Sequence, residues 1–467
     1  MDSLKSAYDL ACERIISSRQ YYSYEKEKEE TESRKIDFIE IPEFSDRQDV
    51  VIESDGSNNT KILENVEKRD DNMSDIKIQE SESIHYNDIL EVCWSGNFMD
   101  FSGFARMNRT MVFGLSNRNV RVKPEIEPYL VHINKETQAQ ILEMSNTTIS
   151  PMAPKVFGVT VPTTVTHGGI KIVYTMIETS EKVHKDYSGK IKLMDEIWVA
   201  SEYGKKILEN SGVNNSLVMP LGVDIGRYKP NCGTMNLGKS IRDFKFVSVF
   251  RWSYRKGFDI LLRAYLEEFS NNDNVSLLLV SRAVESTEDT SAEKIIEDFC
   301  DIKQSVDKPE SDLPHVSLYV KPIGEKDMPK VYGSCNAFVL ISRGEGFCLP
   351  IIEASSCGLP IIASNVTAQQ DYLTNENSYL VEPDGYIEAK VGGNMSKMAK
   401  LCHFYDGQIF PNFNRKSINQ TKEHMRNVFE NYKEAKEKSE KLRKHIAEKY
   451  TWDMAINRVY KRLKEIS

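Results

Sequence analysis

No apolar run in the 467 residues approaches the length that spans a bilayer, so a transmembrane helix is not expected. The eight cysteines, at 12, 93, 232, 300, 335, 348, 357 and 402, form no Cys-x-x-Cys pair. That argues against a disulfide framework and a zinc site, and reads as reduced thiols in a cytoplasmic protein. The opening residues, Met1-Asp2-Ser3-Leu4-Lys5, lack the apolar core of a secretory leader. Positive charge is in deficit: the net charge of −9 argues against nucleic acid as the main partner. Peripheral contact with a membrane is left open. What is present, 40% hydrophobic and 28% charged residues, is ordinary globular composition, in a chain long enough for two or three domains.

One stretch concentrates chemistry. Residues 342–358 read Ser-Arg-Gly-Glu-Gly-Phe-Cys-Leu-Pro-Ile-Ile-Glu-Ala-Ser-Ser-Cys-Gly, after a short apolar strand at 337–341. Gly344 and Gly346 allow backbone to approach a ligand closely, Pro350 suits the first turn of a helix, and Gly358 suits its stop. The amides of Gly346, Phe347, Cys348 and Leu349 at that helix opening predict a site for anionic groups. Glu345 in the loop and Glu353 on the first turn would repel a bare phosphate. They suit hydroxyls beside phosphates, which is the chemistry of a nucleotide sugar.

The Glu345, seven residues, Glu353 spacing, with Gly-Phe-Cys-Leu-Pro between and Gly-Leu-Pro-Ile-Ile-Ala-Ser after, resembles the signature of retaining glycosyltransferases of family four, which have the GT-B fold. The resemblance implies that Glu345 lies against the donor sugar and that Glu353 holds the ribose hydroxyls. Upstream, Arg251-Trp-Ser-Tyr-Arg-Lys256-Gly follows a strand at 244–250, where open α/β sheets bind ligands. It resembles the family's Arg, four residues, Lys-Gly motif, which holds the donor pyrophosphate. Two cations there can neutralise a diphosphate, and Arg255 reads as a bystander. The two cations are expected on one flank of the ligand and the two carboxylates on the other.

Strands alternating with helices elsewhere imply α/β domains with parallel sheets covered on both faces. The expected division is a polar extension, partly helical or disordered, at 1–84; a Rossmann-like acceptor-side domain at 85–235; a Rossmann-like donor-side domain at 236–430; and C-terminal helices at 431–467 crossing back to the first domain, as the resemblance implies. In the first domain a strand at 89–94 leads to a glycine loop. There Gly103 could face a donor diphosphate or an acceptor, and Arg106 could contact phosphate or pair with a surface acid. Relatives carry His-Asp at the end of the strand reading Tyr174-Thr175-Met176-Ile177-Glu178-Thr179; here Ile177 and Glu178 stand in those places, with His167 and His184 as substitutes for the missing His. Relatives hold the base near 321–323, which makes Ile323 a candidate base contact.

The resemblance thus implies metal-independent transfer of a glycosyl group from a UDP- or GDP-sugar to a hydroxyl of a glycan, lipid-linked or protein acceptor, with retention. No cofactor beyond that substrate is called for, since no Asp-x-Asp lies near the site. Glu345, Arg251 and Lys256 are the catalytic candidates, with Glu345 orienting the sugar and stabilising charge. Two other readings stay open: a non-catalytic partner of the same fold that binds sugar or protein, and a nucleotide-sugar epimerase.

Overall fold

Val-Ser-Leu-Leu-Leu-Val at 275–280 is buried at every position, the mark of a strand covered on both faces. The computed structural model describes residues 89–127, 133–162, 167–238, 240–281, 291–320, 323–390 and 403–467, and places this strand in one of two six-stranded sheets. The expected extension at 1–84 lies outside the described residues.

The first sheet comprises β1 (Glu91–Gly96), β2 (Arg121–Ile126), β3 (Lys155–Gly158), β4 (Lys171–Thr175), β5 (Glu196–Val199) and β6 (Ser216–Val218). Its order is β2-β1-β3-β4-β5-β6, with every pair parallel. The second comprises β7 (Phe244–Val249), β8 (Val275–Val280), β9 (His315–Tyr319), β10 (Ala337–Leu340), β11 (Ile361–Ser364) and β12 (Tyr379–Val381). Its order is β12-β11-β10-β7-β8-β9, again all parallel. This is the α/β architecture expected.

In such sheets ligands bind outside the carboxyl ends of the strands where the order reverses. Those points are the β1/β3 boundary in the first lobe and the β7/β10 boundary in the second. The loops leaving β7 and β10 therefore carry Arg251 to Gly257 and Ser342 to Leu349 into one place.

Helices α1 (Gly103–Ser116), α2 (Lys135–Ser145), α3 (Lys185–Ile191) and α4 (Glu202–Asn210) belong to the first lobe; α5 (Phe258–Glu268), α6 (Ala292–Gln304), α7 (Met328–Gly333) and α8 (Leu349–Ser356) belong to the second. Caps fix where several begin. The Ser102 hydroxyl accepts from the Ala105 amide at 3.2 Å, and Ser201 accepts from the Gly204 amide at 3.0 Å, which satisfies donors that a helix start leaves open.

The chain ends in α9 (Arg415–Glu430), α10 (Tyr432–Lys449) and α11 (Trp452–Ile466). The last of these lies on the first lobe. A methyl group on Gly114 of α1 would meet Ile456 at 2.3 Å, and Arg118 Nε donates to Asn457 at 2.8 Å. The Thr451 hydroxyl caps α11, and Trp452 is buried as packing.

Two features differ from the sequence reading. Residues 121–126 form edge strand β2, with Val122 and Pro124 buried and charges between them; a proline and three charges hid it, although an edge tolerates both. After β12 an antiparallel ribbon, β13 (Gly385–Ala389) and β14 (Gln408–Asn412), stands outside both sheets. It bonds to the first lobe, where the Ser180 amide donates to the Ile409 carbonyl at 2.9 Å.

Candidate functional site

The loop after β7 turns back at Gly257, whose φ of 64° lies in the left-handed region. An added Cβ there would sit 1.8 Å from the Ile341 carbonyl oxygen, so glycine is required twice over. The turn sets Lys256 against Glu345: Lys256 Nζ lies 2.7 Å from both carboxylate oxygens. The expected placement of cation and acid on opposite flanks is corrected here, because the two touch. Glu345 is also held from its backbone, its amide donating to Thr367 Oγ1 at 2.8 Å.

Arg255 is no bystander. Its Nη1 donates to the Gly344 carbonyl at 2.5 Å and lies 3.1 Å from Glu178 Oε1 and 3.7 Å from Glu345 Oε2. Burial works against its charge, but Glu178, Tyr405 and Glu345 together more than offset this and hold its pKa above the ordinary value. Arg251 is exposed just beyond β7, at the same strand end. Arg343, which the sequence reading passed over, forms a two-pronged bridge to Asp259 at 2.9 and 2.8 Å and donates to the Tyr254 carbonyl at 2.6 Å, tying the two loops together.

The glycine loop opens α8 as anticipated. Cys348, the residue before the helix, adopts φ 72°, a strained setting for a side chain with a Cβ. Phe347, Cys348 and Leu349 turn their side chains inward and are buried. Among the described residues, the backbone amides of Gly346, Phe347, Cys348 and Leu349 meet no hydrogen-bond acceptor. Glu353 sits at the start of the second turn of α8 rather than on the first, since the helix begins at Leu349. It is buried, and burial pushes its carboxyl pKa up despite Arg106. Both oxygens are engaged: Oε1 by Arg106 Nη1, from α1 of the opposite lobe, and Oε2 by the Tyr332 hydroxyl at 3.1 Å. Arg106 also donates to the Tyr228 hydroxyl at 3.0 Å. Of the two roles weighed for Arg106, the structure has the acid partner, although a buried one.

The closeness of the lobes explains both loop glycines. A Cβ on Gly344 would lie 2.0 Å from the Glu178 carbonyl oxygen, and one on Gly346 would lie 2.5 Å from Met176 Cβ. The backbone therefore approaches the first lobe closely. Met176 faces this loop, while Ile177 points into the first-lobe core, so the position equated with the missing His does not face the cleft. Glu178 contacts the second lobe through both oxygens, to Arg255 and to the Tyr405 hydroxyl.

His167 is not at the cleft. Its Nε2 meets the Ala153 carbonyl at 2.7 Å, in the turn before β3 and so at the opposite end of the parallel sheet. His184 instead caps α3, its Nδ1 accepting from the Asp186 amide at 3.2 Å. Gly103 is exposed at the first position of α1, with open space where a Cβ would lie. Ile323 is half-buried before α7, and Lys321 and Pro322 lie outside the described residues. Arg109, not singled out from sequence, is buried; it donates to the Phe98 and Asp100 carbonyls at 2.7 and 2.6 Å and pairs with Glu325 across the cleft. No helix among the described residues is long and apolar enough to cross a membrane.

Residues 242–391, which contain both loops, match the family model described as glycosyl transferases group 1. A stretch of 50 residues is 46% identical to the O-antigen chain mannosyltransferase B of Escherichia coli; it makes up 11% of this chain and 13% of that protein. Sucrose-phosphate synthase from Thermosynechococcus elongatus superposes with a TM-score of 0.57 at 15% identity, over 81% of this chain and 100% of that one. HepE from Anabaena, solved in complex with UDP and glucose, superposes with a TM-score of 0.53 at 12% identity, over 80% of this chain and 100% of that one. These likenesses establish the fold as that of GT-B glycosyltransferases.

Proposed function

We propose that the chain transfers a glycosyl group from a UDP- or GDP-sugar to a hydroxyl of a glycan, lipid-linked or protein acceptor, retaining anomeric configuration and needing no metal. The observation that carries this reading is the meeting of three things at one strand-order reversal: the Lys256–Glu345 pair, the unpartnered amides of 346–349, and the buried Glu353. The group 1 match over 242–391 supports the same activity, and the short match to a mannosyltransferase makes GDP-mannose one donor to test first. The UDP complex of the HepE neighbour makes UDP-glucose another.

In this reading the diphosphate lies along the amides of Gly346 to Leu349, with Lys256 and Arg251 meeting the negative charge that builds as the nucleoside diphosphate leaves. The ribose hydroxyls take Glu353 in place of Arg106, and Arg106 is then within reach of phosphate. Glu345, held by Lys256, orients the sugar. The bond from the anomeric carbon to the β-phosphate oxygen breaks, the bond to the acceptor oxygen forms on the same face, and the acceptor proton passes to the departing phosphate. Closure of the lobes keeps water out.

A thermal-shift screen of UDP, GDP, UDP-glucose and GDP-mannose tests the binding step: at a hundredfold excess over Kd a true donor adds about 3 kcal/mol to the folded state. Lys256→Ala and Glu353→Gln are expected to lower turnover about 100-fold or more while circular dichroism stays that of the wild type. Full turnover in either variant would overturn the assignment.

A further inference from the structure

The ribbon and the first-lobe turn at 176–180 share side chains that the proposed chemistry does not use. Tyr405, on the short turn His403–Tyr405 before β14, donates its hydroxyl to Glu178 Oε2. The other carboxylate oxygen of Glu178 lies 3.1 Å from Arg255 Nη1. That same nitrogen holds the Gly344 carbonyl at 2.5 Å and stands 3.7 Å from Glu345 Oε2. Arg255 Nε is buried and meets no acceptor among the described residues. The contacts named all use the Nη1 edge, so losing Glu178 leaves Arg255 with the Gly344 carbonyl and with Glu345 as its nearest carboxylate.

We propose that Arg255 is a positioning residue that makes the setting of Glu345 depend on lobe closure, through Glu178 of the first lobe and Tyr405 of the ribbon. The proposal rests on the reading of Glu345 as the residue that orients the donor sugar. With the lobes together, Arg255 is shared with Glu178, and Glu345 is left to Lys256 and the sugar. With the lobes apart, Arg255 has Glu345 as its remaining carboxylate, and two cations draw Glu345 away from the sugar. The contact has no slack, because the Glu178 carbonyl already sits where a Cβ on Gly344 would lie. The ribbon holds the arrangement from the side. Ile409 bonds to Ser180, and the Phe404 ring packs edge-on against Tyr187 with centroids 5.7 Å apart. Donor activation is thereby tied to a closed cleft, which limits loss of the sugar to water.

The test uses the full chain and measures nucleoside diphosphate release from UDP-glucose and GDP-mannose. Tyr405→Phe and Glu178→Gln are each expected to lower kcat about tenfold with the donor KM within about twofold of the wild type. In the Glu178→Gln/Arg255→Lys double variant the loss should not exceed that of the worse single change, because both act through one contact. A raised KM with unchanged kcat, or losses that multiply, would overturn the proposal. If the wild type releases no diphosphate and no nucleotide raises its melting temperature, the nucleotide-sugar reading has failed instead. Amide hydrogen exchange without ligand then judges the linkage. Faster exchange at 176–180 and 408–412 in Tyr405→Phe supports it, and unchanged exchange sinks it.

Discussion

Glu353 and Arg106 form the pair with the most at stake among single side chains. A buried ion pair returns little net stability, but removing one partner strands the other and costs about 3–5 kcal/mol. The side chain of Glu353 is only 4% exposed, so Arg106→Leu would leave a carboxylate with little access to water. Its pKa, already pushed up by burial, would rise further. A carboxyl whose folded pKa is raised adds stability that is full below the unfolded value and is lost as pH rises through the folded one. The melting temperature of Arg106→Leu is therefore expected to fall more steeply than that of the wild type as pH rises above the ordinary carboxylate range. A parallel fall in both proteins would show that Arg106 does not govern the carboxyl.

At the scale of the elements, the loops after β7 and β10 act as one unit pressed against the turn at 176–178. Gly346→Ala would place its methyl 2.5 Å from Met176 Cβ, so closure requires one side to yield. The variant is expected to lose about 10-fold to 100-fold in turnover, and Met176→Gly in the same chain to restore part of it, since only that change removes the Cβ the new methyl meets. Stopped-assay rates for the two single variants and the double decide this. The loops were legible in the sequence because their glycines, proline and caps mark a strand, a turn and a helix within a few residues. Side-chain partners were not legible. Lys256 and Glu345 are 89 positions apart, and their contact depends on which strands become neighbours. Arg255 looked idle because its partner Glu178 comes from the other lobe. The ribbon was missed because two five-residue strands joined through a long connection carry too little alternation to stand out, and β14 contains a proline.

At the scale of the whole molecule, the backbone passes between lobes twice among the described residues, once between β6 and β7 and again where α10 gives way to α11. The second crossing is secured where the Val223 amide donates to the Tyr450 carbonyl at 2.9 Å, and where Trp452 and Ile456 settle on the first lobe. Ile456→Ala is expected to cost about 2–4 kcal/mol and to lower the melting temperature, because it removes buried methyls beside Gly114 that nothing can replace. Calorimetry would show whether one transition or two results. The double passage also bears on synthesis. The lobe encoded first lacks its last helix until residues beyond 450 have emerged from the ribosome, whereas the strands of the other are all present by residue 381. The nascent chain is thus expected to complete its halves in the reverse of the order in which they are translated, with the exposed face of α1 needing shelter in the meantime.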